Sequence, residues 1–478
     1  MSADEGRGDL AIRNPLTGEH DYRIVPLDAA DVARRVQSLR AAQPAWAARN
    51  VTERVAVLDE FVAALDSQAQ AISTALAIDT GRQQLAVQEL GGVKSGIARW
   101  SALAPALLDD RRRQAAAMPT ADIVETAQPY PVVGAISPWN FPLLLSFIDT
   151  VPALLAGCSV FIKPSEVTPR FIEPLRHAIE AVPLLAPVLD IGAGDGATGA
   201  ALVDVVDAVA FTGSVATGKK VAAAAARRLI PAFLELGGKD PAIVLGGTDI
   251  DRATTALLRA SIAATGQACQ SIERIYVDSN IIDAFVAELV AKANAVELTR
   301  DNPQGITGPL IFAQQAETIR DHLADAVAKG ATIECGGEVI DDNGAFWIRP
   351  TVVTGVDHSM ALMREETFGP IMPIMAFDSA DEAVRLANDT SFGLSGAVFG
   401  PDEEAALALG RRIAAGGVSV NDAGLTAFLF ETEKSAFGSS GLGPSRVGPA
   451  GLTRFLRRQS LYLNRGPVTP ITVMAESG

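Results

Sequence analysis

From residue 29 to about residue 108, apolar positions recur at spacings of three and four, as in Val55, Leu58, Phe61, Val62 and Leu65, with few breakers between them. That spacing predicts a long helical stretch. Upstream, NPLTGE at 14–19 reads as a turn between two short extended pieces. The basic run RRRQ at 111–114 and the proline-bounded segment 118–131 end the helical pattern, and the alternation Ile123, Val124, Glu125, Thr126 predicts an exposed strand or hairpin. Beyond it, short β-rich runs at 132–137, 160–163, 205–211, 242–245 and 274–277 alternate with helix-like runs such as 221–229. Strands alternating with helices predict parallel sheets and an α/β architecture, with ligands at the carboxyl ends of the strands. A second set of alternations from about 240 to 437 predicts a second α/β lobe, and 459–464 is a strand-like tail without a lobe of its own.

One stretch tests this picture. Between 132 and 162 the only formal charge is Asp149, so the segment is long enough to span a bilayer. Pro138, Pro142 and Pro152 interrupt it, however, and a charge in hydrocarbon costs about 2.5–3.5 kcal/mol on insertion scales. Buried protein interior is the expectation. Composition agrees: 478 residues, 48% hydrophobic and 20% charged, suit two or three globular domains at roughly 100–200 residues each. The formal charge of −16 disfavours nucleic acid and anionic membrane surfaces as partners. Three widely separated cysteines, Cys158, Cys269 and Cys335, fit a reducing compartment, and the polar opening MSADEGRGDL lacks a secretory leader's apolar core, so the expected location is cytoplasmic. No repeat of 20–50 residues is visible.

The candidate motifs are ambiguous singly. IGAGDGATG at 191–199 spaces Gly194, Gly196 and Gly199 as a loose phosphate loop, which is as often a plain turn. FTGSVATG at 211–218 follows an apolar strand and precedes a helix, a context in which free N–H groups attract a pyrophosphate. GSVATGKK falls one residue short of a nucleotide-triphosphate loop, because Lys220 stands where a magnesium-binding hydroxyl is needed. Cys158 and Cys335 read as buried or incidental thiols, whereas Cys269 in TGQACQSIER lies among small and polar residues before a strand. With only four histidines and none near a cysteine, a Cys–His dyad or a metal site has no support.

The ensemble is specific. SPWNFP at 137–142, KPSE at 163–166, FTGS at 211–214, ELGGKDP at 235–241, GQACQS at 266–271 and EETFGP at 365–370 occur in that order. In these motifs, and across nearly its whole length, the chain resembles the aldehyde dehydrogenase superfamily. The resemblance implies that Cys269 is the nucleophile that adds to an aldehyde carbon, with the oxyanion held by the Asn140 amide and the Cys269 backbone N–H. Loss of one such donor typically costs about 10²–10³ in rate. It implies that Glu235 is the general base that activates water against the thioester, which favours a free acid over an acyl-coenzyme A as product. For the cofactor it implies Lys163 and Glu166 at the adenosine ribose, Ser214 and Trp139 at the pyrophosphate, Glu366 and Phe368 about the nicotinamide ribose, and Leu236 and Gly237 near the ring. A carboxylate at 166 repels a 2′-phosphate, so NAD is expected ahead of NADP.

There are departures. Many relatives carry lysine where Asp149 stands, and many end in Ser-Gly-x-Gly-Arg-Glu where this chain reads SGLGPSR at 440–446. The second acid of that loop is missing, so no catalytic weight is placed on it. The loop before it is long and apolar, and Leu425, Phe428, Leu429 and Phe430 predict an apolar aliphatic or aromatic aldehyde. No arginine pair is evident for a substrate carboxylate.

The expected fold is thus two doubly wound, Rossmann-like lobes plus a small β element for oligomerisation. The NAD-binding domain would comprise 1–107 and 130–237, the catalytic domain 238–437, and the bridging element 108–129 with 448–478, forming a homodimer or homotetramer. Alternatives are a coenzyme A-acylating or semialdehyde dehydrogenase of the same fold, or an inactive nucleotide-binding homologue.

Overall fold

The computed structural model describes residues 8–476, so the first seven residues of the polar opening stretch lie outside the described residues. The turn at 14–19 joins β1 (Leu10–Arg13) to β2 (His20–Ile24) as an antiparallel hairpin. The helical stretch resolves into α1 (Ala29–Ala47), α2 (Val51–Ser67), α3 (Ala69–Thr80) and α4 (Gln83–Leu108). Local chemistry sets two of the breaks. Asn50 and Glu53 form a reciprocal capping box at the start of α2, and Gly81 at φ 67° terminates α3.

The basic run is β3 (Arg111–Gln114), paired antiparallel with β4 (Ala121–Pro129). The apolar stretch then forms β5 (Val132–Ile136), α5 (Pro142–Ala156) and β6 (Ser159–Lys163). α5 is buried along almost its whole length, as the interior reading expects, and Phe147 stacks on Phe61 of α2 at 5.6 Å. Its exposed-amide problem is solved from outside: the buried Glu89 carboxylate of α4 accepts the N–H groups of Leu143 and Leu144, both at 3.0 Å.

The alternation continues through α6 (Ile172–Glu180), β7 (Leu189–Ile191), α7 (Gly196–Val203), β8 (Ala208–Thr212), α8 (Val215–Arg228) and β9 (Ala232–Glu235). A second lobe starts with β10 (Asp240–Val244), α9 (Ile250–Ile262) and β11 (Ile272–Asp278). Its further strands are β12 (Thr332–Cys335), β13 (Val339–Asp342), β14 (Ala345–Ile348), β15 (Thr351–Thr354), β16 (Ile371–Phe377), β17 (Ser395–Phe399) and β18 (Gly417–Val420). The chain then returns to the first lobe with β19 (Gly441–Leu442) and ends in β20 (Leu456–Asn464).

Two sheets dominate, one of six strands in the order β19-β9-β8-β5-β6-β7 and one of seven in the order β12-β15-β16-β11-β10-β17-β18. Within the first, β5 to β9 run parallel, and only β19 is antiparallel. The architecture is the α/β one that the alternation predicts. The strand-like tail does have a partner: β20 pairs with β4 along its whole length, giving the third sheet, β20-β4-β3. Among the described residues no single helix is long and apolar enough to cross a membrane.

Candidate active site

The candidate residues of the first lobe gather at the carboxyl ends of its parallel strands. Trp139 and Asn140 follow β5, Lys163 ends β6, Ser214 follows β8 and Glu235 ends β9. From β5 the chain goes first to β6 and β7 on one side and then to β8 and β9 on the other. A doubly wound sheet opens a ligand crevice at such a reversal.

Two helix starts near it differ. Ser214 caps α8 by accepting the Thr217 N–H at 3.3 Å, a neutral cap that leaves the helix end short of negative charge. In IGAGDGATG, by contrast, the Asp195 carboxylate accepts from Ala197 and Thr198 at 2.9 and 3.1 Å, so α7 carries its own anion. That motif is a capped helix start. Lys220 of the near-miss triphosphate loop is exposed on α8. Lys163 is buried apart from its ammonium contact with the partly exposed Glu166 at 3.1 Å.

The loop that carries Cys269 is strained. After α9, Ala264, Thr265 and Gly266 take consecutive left-handed conformations, with φ of 54°, 61° and 70°. For the two non-glycine residues this costs of order 1–3 kcal/mol each and persists only where the surroundings enforce it. They do so here. Buried Arg82 donates to Ala264 O at 3.2 Å and to Asn140 O at 2.5 Å. Thr265 Oγ1 donates to Gly308 O at 3.1 Å, and Gln267 accepts the Ile311 N–H through its side chain at 2.8 Å. Asn140 in turn donates its amide to Gln267 O at 2.9 Å, two residues before Cys269. The sequence motif around 140 and the one around 269 are therefore joined directly, with a second amide hydrogen on Asn140 left to offer.

Glu235 approaches from the other side. Residue 238 is held to glycine by the close approach of Cys269 O, and a side chain on Gly237 would press on the Glu366 carboxylate. Glu366 accepts the Gly238 N–H at 3.0 Å. Burial, then the nearby Glu273, pushes Glu366 up to about 8. Burial also raises Glu235, against the pull of Arg446, Arg454 and Lys434. For Cys269, burial comes first, followed by the carboxylates of Glu366, Asp240 and Glu235, while Arg446 opposes them; the thiol stands at about 12. The resting sulfur is protonated.

The turn EETFGP is built on a buried ion pair. Lys239 Nζ meets Glu273 Oε2 at 2.6 Å, and Glu273 accepts the N–H groups of Thr367 and Phe368, both at 2.8 Å. This holds Phe368 at φ 53°, with its ring edge-on to Trp139 at 5.3 Å. Leu236 is buried, and its N–H is bonded to Ser440 O at 2.8 Å.

The loop expected to meet substrate touches the neighbour of Cys269: Thr426 Oγ1 donates to Gln270 Oε1 at 2.6 Å. Leu425 is partly buried, Phe430 packs under the Arg99 guanidinium at 4.5 Å, and Phe428 is 70% exposed. Lys434, whose ammonium donates to Thr426 O, faces both Glu235 and Cys269.

Sequence reasoning passed over Arg82, Lys239 and Glu273, although each puts a charge into an otherwise buried setting. It also gave no weight to 440–446. The structure brings that loop to the site: Arg446 pairs with Asp149 at 2.7 Å and with Thr212 Oγ1 at 2.6 Å, and Thr212 is the strand neighbour of Glu235. Asp149, the departure from lysine, is the anchor of that contact.

Comparison with known proteins bears on the family and the fold. The sequence model described as "Aldehyde dehydrogenase family" matches residues 2–461. A protein of Mycolicibacterium smegmatis, provisionally named succinate-semialdehyde dehydrogenase [NADP(+)], is 35% identical over 468 residues, covering 96% of this chain and 90% of its own. The structure of a provisionally assigned aldehyde dehydrogenase, PutA from Anabaena variabilis, superimposes with a TM-score of 0.95 at 49% identity, over 97% of this chain and 99% of that one. Betaine aldehyde dehydrogenase from Staphylococcus aureus, in complex with NAD+, gives 0.91 at 28% identity, over 98% and 94%. The motifs, the two-lobed fold and these likenesses converge, and the chain belongs to the aldehyde dehydrogenase family.

Proposed function

We propose that this protein oxidises a small aldehyde to the carboxylic acid with NAD, through a thioester on Cys269. The observation that carries the reading is the meeting of three groups from three distant segments: the Asn140 amide tied to the nucleophile loop, Cys269 within that loop, and Glu235 electrostatically coupled to the thiol. The sulfur adds to the aldehyde carbon and its proton leaves to a base. The oxygen gathers charge beside the Asn140 amide and the Cys269 N–H, a stabilisation worth about 10²–10³ per donor. When bound, NAD would accept the hydride from that carbon. Glu235 then takes a proton from water as it attacks the thioester, the C–S bond breaks, and the acid departs.

The residues present suit a dinucleotide. The neutral start of α8 would receive the pyrophosphate, with Ser214 and Trp139 at hand, and Lys163 with Glu166 would hold the adenosine ribose. Glu366, Phe368, Leu236 and Gly237 would surround the nicotinamide end, where the absence of a side chain at 237 leaves Glu366 access. Relatives named for NADP leave the choice of dinucleotide to Glu166, whose carboxylate would repel a 2′-phosphate. Glu166→Gln should lower the ratio of kcat/KM for NAD to that for NADP by about tenfold, about 1.4 kcal/mol of discrimination. An unchanged ratio would assign the ribose preference to other groups.

The apolar loop supports an aliphatic or aromatic aldehyde through Leu425, Phe428 and Phe430. Lys434, facing the nucleophile, favours a second reading in which the aldehyde also bears a carboxylate, and 2-hydroxymuconic semialdehyde dehydrogenase of Pseudomonas is among the relatives. The test is NADH production across aliphatic, aromatic and acid-bearing aldehydes, with and without coenzyme A. Turnover without the thiol is expected; strict dependence on it would replace hydrolysis by acyl transfer, and no turnover with any aldehyde would leave an inactive homologue.

The same reading divides the chain into a cofactor domain (1–107 and 130–237), a catalytic domain (238–437) and a bridging element (108–129 and 448–478), of which the stretch before β20 packs into the first lobe through Leu452, Arg454 and Phe455. β20 forms the open edge of that element, with Leu461, Leu463 and a 75% exposed Tyr462, which supports pairing with a second copy in a homodimer or homotetramer. Three free thiols suit a cytoplasmic enzyme.

A further inference from the structure

One buried cluster has no part in the chemistry above. Asp149 of α5 is only 4% exposed, and its carboxylate is forked by Arg446 and Arg454. Burial works against the charged form of Asp149, yet the two guanidinium groups hold its pKa below the ordinary carboxylate value. One carboxylate against two guanidinium groups leaves the cluster positive.

The two arginines are not equivalent. Arg454 lies against the rings of Phe233 and Phe455, each at 5.1 Å, and is spent on packing and on Asp149. Arg446 has a second contact, donating to Thr212 Oγ1 at 2.6 Å. Thr212 is the register partner of Glu235 across β8 and β9, and Gly441 is its partner on the other edge. Arg446 is therefore carried to the strand end that bears the base. Around Glu235 stand Arg446, Arg454 and Asp149 from the cluster, Lys434 from the preceding loop, and Cys269 across the pocket. Of these, Arg446 is bonded to the residue beside Glu235 and is anchored from behind by a buried acid.

We propose that Arg446 is a positioning residue for the hydrolytic half-reaction: fixed by Asp149 and Thr212, it sets a positive charge beside Glu235 and keeps that carboxylate ionised and ready to take a proton from water. In that step one water O–H proton passes to Glu235, the new C–O bond forms at the thioester carbon, and the C–S electron pair leaves on Cys269. No further oxidant or reductant is involved. The inference rests on the reading of Glu235 as the base, and it goes beyond it by naming what holds the base in its working state.

The test follows acyl-enzyme directly. Enzyme and NAD are mixed with limiting aldehyde, quenched at intervals and weighed by mass spectrometry, between about pH 6 and pH 9. An opposite charge within about 4–6 Å typically lowers a carboxyl pKa by about one unit or more. Arg446→Gln should therefore move the acid limb of acyl-enzyme decay up by about one pH unit, slowing decay about tenfold below the limb, while acyl-enzyme formation changes less than about twofold. Arg446→Lys should keep the limb of the parent chain. An unmoved limb in Arg446→Gln, or equal slowing of formation and decay at every pH, would overturn the proposal. Should Arg446→Gln fail to fold, Thr212→Val removes only the hydrogen bond beside Glu235; a smaller upward shift supports the proposal and an unmoved limb overturns it. A parent chain that never gains acyl mass on Cys269 would instead defeat the reading of the reaction itself.

Discussion

Cys269→Ala should abolish aldehyde oxidation, with a loss of at least about 10⁴-fold, while NAD still binds and the fold still melts where the parent chain does. The size follows from the role: removal of a covalent nucleophile eliminates the pathway rather than weakening a contact, and losses near 10⁶ are known for such groups. The second half of the expectation follows from the surroundings. Since the thiol stands at about 12 and is protonated at rest, the substitution withdraws no charge from among Glu235, Glu366 and Asp240. The braces of the loop also lie elsewhere, on Arg82, Thr265 and Gln267. NADH formation checks the first point, and titration calorimetry with NAD and a thermal melt check the other two. Turnover within about tenfold of the parent would remove Cys269 from the mechanism.

Glu235→Gln separates the two halves of the reaction. The carboxamide matches the carboxylate in size, so the end of β9 keeps its pairing with Thr212 and Gly441. What is lost is the base. One equivalent of NADH should appear in a rapid burst, and the steady state should then fall by about 10²–10⁴, the usual contribution of a positioned general base. Stopped-flow absorbance reads both phases. A normal steady state would assign water activation elsewhere, and the absence of a burst would move Glu235 to the first half-reaction.

Much of this was legible along the chain because it is local. Strand and helix periods reveal the two lobes, and the words around Asn140, Glu235 and Cys269 mark the points at which strands end and loops begin. What the sequence leaves unreadable is pairing over distance. Arg82 meets Ala264 across 182 residues, and Arg446 meets Asp149 across 297. Neither contact has a period or a spacing, and an arginine that braces a strained turn is written no differently from one on the surface. The SGLGPSR departure looked like lost chemistry because a single missing acid is visible in one dimension. The contact that the loop does make, an acid on α5 facing its guanidinium, exists only in three.

The return of the chain through β19 has a consequence for how the molecule is made. Residues 441–454 leave the second lobe to zip onto β9 and to neutralise Asp149 inside the first. A growing polypeptide that has released everything up to 437 would thus hold a nearly finished nucleotide lobe with a bare edge and an uncompensated interior charge. The earliest-made half of the molecule can reach its final form only after residues 441–454 have emerged, so premature stops before about residue 454 should leave the first lobe without its edge strand and its buried countercharge.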